Sequence, residues 1–372
     1  MRYRILFLLT LLLLIFPKKI VAQEVNAITT AAPFLLITPD GRSGGMGDIG
    51  VATTSDFNSQ HHNPSKAAFN DMELSIGVNF TPWMNQLVND VYLGGISVTN
   101  KLNERSAWAA SFKYFTLGEI QLTDENGEPL TKEKPNELAV DGTYALKLSE
   151  SFSLGVTLRY IRSDFTLRVQ NSDIQTVNAF SVDISGYFES SESNYGNFNG
   201  IFRGGFNISN IGPKVAYVPG GRENFIPTNM KLGAGFDFIL DDYNKVALTL
   251  ESTKLLVPTP PNDFDNDIGF FEGMISSFGD APDGFSEEIK EFTWAVGAEY
   301  VYNDAFALRT GFFHESEIKG ARKFFTVGAG FKFRSASIDF SYLFNASDIN
   351  NPLENTLRFS LGFNLGESFD YF

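Results

Sequence analysis

Residues 45–50 read Gly-Met-Gly-Asp-Ile-Gly, the glycine spacing that cradles the pyrophosphate of a dinucleotide. That chemistry needs a strand leading into the glycines and a helix leaving them, so that the phosphates meet the helix N-terminus. Here Pro39 and a turn-like Asp40-Gly41 precede the motif, and Pro64 with several turn formers follows it. No strand–helix–strand unit is in place, so the glycines read as residues that let a non-helical chain bend tightly and lie against a wall. The three histidines, His61, His62 and His314, are the next candidates. His314, Glu315 and Ser316 stand in a row, but consecutive residues near a strand end point to opposite faces, which a nucleophile and its base cannot do. The pair His61-His62 has no further ligands at metal-site spacing and reads as surface of an irregular segment. Asp263, Asp265 and Asp267 alternate ahead of Gly269 like part of a calcium loop, without the late glutamate such a loop needs. With no cysteine at all, thiolate catalysis, zinc-thiolate sites and disulfides are closed. The sequence points to no enzyme, cofactor or metal.

The elements that carry these residues come next. Residues 1–23 place Arg2 and Arg4 before an apolar run from Ile5 to Phe16, with small residues at Val21 and Ala22, the pattern of an export signal peptide. Its removal takes four basic residues and leaves 25 Lys+Arg against 44 Asp+Glu, about −19 by this count, so nucleic acid is a poor partner. Phenylalanine is abundant, 37 of 372 residues, while mean hydropathy is near neutral. Aromatics spread through a chain of average polarity suit a transmembrane β-barrel. From residue 73 onward the period is two: Leu357, Phe359, Leu361, Phe363 and Leu365 alternate with Thr356, Arg358, Ser360, Gly362 and Asn364.

Such runs predict strands near 74–82, 91–100, 107–119, 140–149, 151–163, 175–189, 200–209, 229–240, 245–255, 291–302, 305–314, 321–334, 336–345 and 355–366. That makes about fourteen, and most of them approach the ~9–11 residues a tilted strand needs to cross a bilayer. Links at 149–151, 241–244, 302–304 and 334–335 are short, whereas those at 120–139, 210–228, 256–290 and 346–354 are long, as for periplasmic turns and outer loops. The link 189–199 is long where a short turn is expected; either that turn is extended or the count slips there. A soluble sandwich would alternate too, but would not turn so many phenylalanines outward. The expected class is therefore an all-β, antiparallel transmembrane barrel at residues 74–372, with 24–73 as a periplasmic or plug segment.

The stretch "FLLITPDGRSGGMGDIGVATTSDFNSQHHNPSKAAF", residues 34–69, resembles the N-terminal signature of the PorV family, outer-membrane barrels of the type IX secretion system of Bacteroidetes. The resemblance runs over essentially the whole mature chain, to a C-terminal Phe372 of the kind that barrel-assembly machinery recognises. That family is in turn similar to FadL fatty-acid transporters, whose plug carries Asn-Pro-Ala; Asn63-Pro64-Ser65 departs from it in the last residue. The resemblance implies a FadL-like barrel with an N-terminal plug and a non-enzymatic, cofactor-free role. It implies a shuttle that binds the C-terminal signal domain of secreted cargo at the type IX translocon and passes it to an attachment complex. There the sortase PorU would join the cargo to lipopolysaccharide of the outer membrane. The alternative is a channel for fatty acids or other hydrophobic molecules. On this reading Asp40, Arg42, Gly44, Gly45, Gly47, Asp48, Asn63 and Pro64 hold the plug's shape, with Arg42 and Asp48 paired to lumen charges.

Among the long links, 256–290 stands out. Phe270, Phe271, Met274, Ile275 and Phe278 fall along one side of a short helix. That side either packs down on the barrel rim or forms a docking surface for a partner. Trp83 and Met84, in the first outer loop, are candidates of the same kind.

Overall fold

The computed structural model describes residues 27–84, 88, 90–124, 126–166, 173–259, 268–347 and 354–368. Residues 1–23, where an export signal is expected, Phe372 and the Asp263–Asp267 triplet lie outside the described residues. Strands run β1 Met72–Pro82, β2 Tyr92–Lys101, β3 Ser106–Thr116, β4 Ile120–Thr123, β5 Pro129–Glu133, β6 Asn136–Ser149, β7 Phe152–Asp164, β8 Val177–Glu189 and β9 Ser193–Asn194. They continue as β10 Asn199–Ile211, β11 Asn229–Ile239, β12 Asn244–Leu255, β13 Phe292–Tyr302, β14 Phe306–His314, β15 Lys323–Phe333, β16 Ala336–Asn345 and β17 Leu357–Ser368. Setting aside the outlying β4–β5 hairpin and the two-residue β9, fourteen antiparallel strands follow one another around the sheet, and β10 pairs with β11 while β17 pairs with β1. The sheet is thus closed, as a bilayer requires of strands whose edges it cannot hydrate.

Alternation explains which face goes where. In β1, Ser75, Asn79 and Thr81 are buried toward the lumen while Val78 and Phe80 stay exposed. The pattern repeats around the ring, with Ile96, Phe112, Val156, Leu250, Val296, Phe325 and Phe359 on the outer wall. Exposed apolar side chains in this position face lipid, and the buried polar ones face the filled lumen. The link at 189–199 is an extended turn, not a slipped count: β9 prolongs the β8–β10 hairpin, and Tyr195 and Phe198 stack at 5.3 Å beside Phe236 and Phe238. Six connections, five of them tight and this one extended, lie at the end of the barrel that carries the chain's entry into β1, and the long loops lie at the other, outer end.

The segment before β1 fills the barrel. Its described residues hold no strand; their regular pieces are the short helix Gly41–Gly44 and the 3₁₀ turns Pro33–Leu36, Ser59–His61 and Pro64–Phe69. Phe34, Met46, Ile49, Val51 and Ala52 are almost wholly buried there.

Candidate functional site

The plug is fixed to the wall by charge. Arg42 reaches Glu299 on β13 at 2.8 and 3.1 Å and Asp56 at 2.8 Å. Glu299 also accepts from Arg309 on β14 at 2.7 Å, and Arg309 donates to Asp339 on β16 at 2.6 Å, so one plug arginine enters a ladder across three wall strands. Asp48 takes Arg358 of β17 at 2.6 Å. Glu251 on β12 accepts the N–H groups of Gly50 and Val51 at 2.8 and 2.9 Å. Buried charges of this kind hold only when paired on both sides, and breaking one pair leaves the partner stranded.

Close approach does the rest. A Cβ on Gly45 would lie 3.1 Å from Gly328 Cα, and one on wall residue Gly311 would lie 2.1 Å from Met46 C. Gly47, at φ +75°, runs past the Phe312 backbone with Asp48 in the same left-handed region at φ +68°. Gly44 leaves room for the Arg358 side chain, 2.5 Å from where its Cβ would be. Asp40 caps the short helix by accepting from Ser43 N at 2.8 Å and meets His62 Nε2 at 2.5 Å. His62 is therefore not plug surface, as its sequence suggested, but a buried clasp between two plug turns. Asn63 caps the turn that begins at Pro64 and donates to Val51 O and Gly186 O at 2.8 and 3.0 Å. His314 ends β14, and the neighbouring Glu315 is held by Arg322 at 2.8 Å.

Above the plug, the outer mouth opens into a cavity of about 960 Å³. One wall is apolar: Phe34, Leu36, Trp83, Val91, Phe115 and Leu117 line it, and Trp83 meets Phe115 edge-on at 6.3 Å. The other wall carries charge from Lys231, Glu251, Glu291, Glu315, Lys319 and Arg322. Sequence reasoning found Trp83 and Met84, which both line this cavity, but missed the inward apolar residues at the outer ends of β2, β3, β6, β7 and β8, where Leu93, Phe115, Ala139, Ile161 and Ala179 join one cluster with Phe34. The available signal was local: at those strand ends the wet face turns apolar.

Beside the mouth, the helix Phe270–Ser276 lies on the rim, but not by its apolar side. Gly273 and Ser277 are buried, with Gly273 against Phe225 and Pro258, while Phe271 and Ile275 are 61% and 63% exposed. Phe270 and Phe278 are exposed as well, and Met274 is half-buried. Phe285 and Ile289, on the following turn, extend the patch. The packing alternative is thereby corrected: the small residues make the contact, because only they let the helix approach Phe225. Beneath the patch, Lys254 of β12 is fully buried and pairs with Glu288 at 2.8 Å and with Glu291, and Lys319 pairs with Glu287 and Glu291 at 2.6 and 3.0 Å. Burial opposes the charge of Lys319, but the two glutamates outweigh it and raise its pKa. Burial pushes the Asp280 carboxyl up against the Thr259 N–H that it accepts, and Glu291 and Glu288 add to the rise.

Residues 20–262 match the family model described as type IX secretion system protein PorV. No curated protein sequence matches the chain. Among solved structures, a deletion mutant of TodX, titled a monoaromatic hydrocarbon channel, superposes with TM-score 0.55 at 11% identity, over 88% of this chain and 99% of that one. A second TodX deletion mutant gives 0.50 at 10% identity, over 88% and 99%. A Pseudomonas aeruginosa FadL homologue gives 0.46 at 13% identity, over 88% and 98%. At these identities the likeness is one of fold.

Proposed function

The chain belongs to the PorV family, outer-membrane components of the type IX secretion system, and on that premise we propose that it is a non-enzymatic carrier for secreted protein cargo. In this reading it binds the C-terminal signal domain of cargo at the translocon and hands it to the surface attachment complex with its PorU-type sortase. The observation that supports it most is the division of labour along the barrel axis. The lumen is filled by a plug tied to the wall at Glu251, Glu299 and Arg358, so a polypeptide has no route through it. The outer mouth, by contrast, offers a large, half-apolar cavity and an exposed aromatic helix. Partner surfaces are enriched in aromatic residues and methionine in this way.

The test is a pull-down of the tagged full-length protein from native outer membranes in gentle detergent, with mass spectrometry of retained proteins and lipids. Secreted proteins still carrying their signal domains, alongside a translocon or sortase, are the expected result. Recovery of the barrel alone with fatty acids would overturn it. A second reading, a channel for hydrophobic small molecules, draws on the mouth cavity, whose size lies within the usual ~300–1,000 Å³ of small-molecule sites. Uptake of radiolabelled oleate separates the two, since a carrier with a locked plug takes up none.

A further inference from the structure

The carboxylates of Asp280, Glu288 and Glu291 each offer an oxygen, and these oxygens all lie within 4.8 Å of one another on the outer rim. Three observations set this cluster apart from an ordinary acidic surface. The first is burial: Glu288 and Glu291 are each 7% exposed, and the helical loop that carries them covers Lys254, which is not exposed at all. The second is charge. Among the described residues, the charged groups facing the cluster are Asp280, Glu287, Glu288 and Glu291 from the loop, Lys254 from β12 and Lys319 from the 315–322 loop, four acids against two bases. Even with Glu287 set aside, the three carboxylates outnumber the two lysines, in a place where an unbalanced charge is costly. The third is unmet bonding: Asp280 Oδ1 and Glu288 Oε2 are buried and accept no hydrogen bond from any described residue, and Glu288 Oε1, 2.8 Å from Lys254 Nζ, is outside hydrogen-bonding angle. The other three oxygens have partners: Asp280 Oδ2 accepts from Thr259 N at 2.9 Å, Glu291 Oε1 from Thr259 Oγ1 and Lys319, and Glu291 Oε2 from Lys254.

We propose that Asp280, Glu288 and Glu291 bind one hard divalent cation, of which Ca²⁺ fits best, and that the cation pins the 268–291 segment to the barrel rim. A single doubly charged ion removes the excess charge and gives the open oxygens a partner. All-oxygen carboxylate donors select calcium or magnesium over softer metals. The irregular set, drawn from a loop, a short helix and a 3₁₀ turn, suits calcium's flexible sphere better than magnesium's near-ideal octahedron. Ligands 2.3–2.6 Å from Ca²⁺ lie within roughly 5 Å of one another, which is the span seen.

The test uses the full-length barrel in gentle detergent, stripped with EDTA and titrated by calorimetry with CaCl₂ and separately with MgCl₂. One Ca²⁺ per chain is expected, with Kd in the ~10⁻⁴–10⁻³ M range of extracellular calcium sites, and weaker Mg²⁺. Glu288→Gln and Asp280→Asn should each weaken binding at least tenfold, whereas Asp304→Asn, in a turn at the opposite end, should leave it unchanged. Heat-dependent gel mobility reports whether each variant has assembled; should Glu288→Gln not assemble, the half-buried Asp280→Asn carries the comparison. In parallel, Ca²⁺ should slow proteolytic cutting within 268–291 several-fold while cuts elsewhere keep their rate. Absence of saturable heat, or equal binding by wild type and both variants, would overturn the proposal. None of these readings involves cargo or translocon, so the site stands or falls apart from the carrier function.

Discussion

The plug and the 268–291 part of the rim loop are built from similar parts, short helical turns joined by irregular chain and held by buried ion pairs, yet they turn opposite faces to their surroundings. In the plug, Arg42, Asp48 and the close-approach glycines face the wall, where they end on Glu299, Arg358 and wall backbone, and Met46 and Ile49 are buried between them. In the rim loop, the charges and the small residues Gly273 and Ser277 face the barrel, and Phe271, Ile275, Phe278 and Phe285 are left outside. The first arrangement spends its apolar surface on staying in place. The second leaves its apolar surface uncovered by any described residue. That difference is what favours a carrier with a closed lumen over a channel, and it is open to direct attack from either side.

The largest effect is expected on the plug side. Arg42→Ala takes from Asp56 its only arginine and leaves Glu299 with Arg309 alone, and since one-sided loss of a buried pair costs about 3–5 kcal/mol, a loss toward the lower end of that range is expected. The fourteen strands pair without help from Arg42, so the barrel should still assemble and migrate as a folded, heat-modifiable species. The plug should come loose, seen as sensitivity to vancomycin and as protease cuts near residue 42. Intact barrels with no added leakage would mean that the plug does not depend on this ladder. Next in size is Gly311→Val on the wall, where a Cβ meets plug backbone that cannot rotate away; overpacking of this kind costs about 1–3 kcal/mol. Val at Gly142, which faces open space, is the matched control and should be silent in the leakage assay.

Both regions were legible in the sequence to different depths. The strands could be placed to within a few residues because lipid on one side and a polar lumen on the other enforce a strict period of two, as Leu357 to Leu365 display. The closed ring followed, since a membrane tolerates no free edge. Gly45 and Gly47 could be seen as close-approach residues, but their counterparts Gly311 and Gly328 could not, because a glycine in mid-strand has no local signal that names the residue across the lumen. His62 was misplaced for a related reason: its partner Asp40 is twenty-two residues away across a turn no periodicity predicts. The rim helix was found at its true position, but the sequence left open whether its apolar side packs on the barrel or faces away from it. Its hydrophobic stripe is a normal packing signal, and only the closeness of Phe225 reveals that Gly273 must take the contact instead.

The smallest effect on stability is the one that sharpens the comparison most. In Phe271→Ser with Ile275→Ser, two side chains that are more than 60% exposed are replaced without touching Gly273, Ser277 or the Lys254 and Lys319 pairs beneath. Exposed substitutions away from special features change stability by no more than about 0.5 kcal/mol, so unfolding in detergent should match wild type. If the outward face is where a partner sits, capture of signal-domain cargo or of the translocon should nevertheless fall at least tenfold, because a few central aromatic and aliphatic anchors carry most of an interface's energy. Arg42→Ala should show the converse, a large loss of plug integrity with capture retained as long as the rim loop keeps its place. Should the two variants lose capture in step, the mouth and the plug would be one cooperative unit, and the contrast between a part built to stay and a part built to meet would fail. Should the rim variant lose nothing, the docking surface would have to be sought in the cavity instead, beginning with Trp83 and Phe115 on its apolar wall.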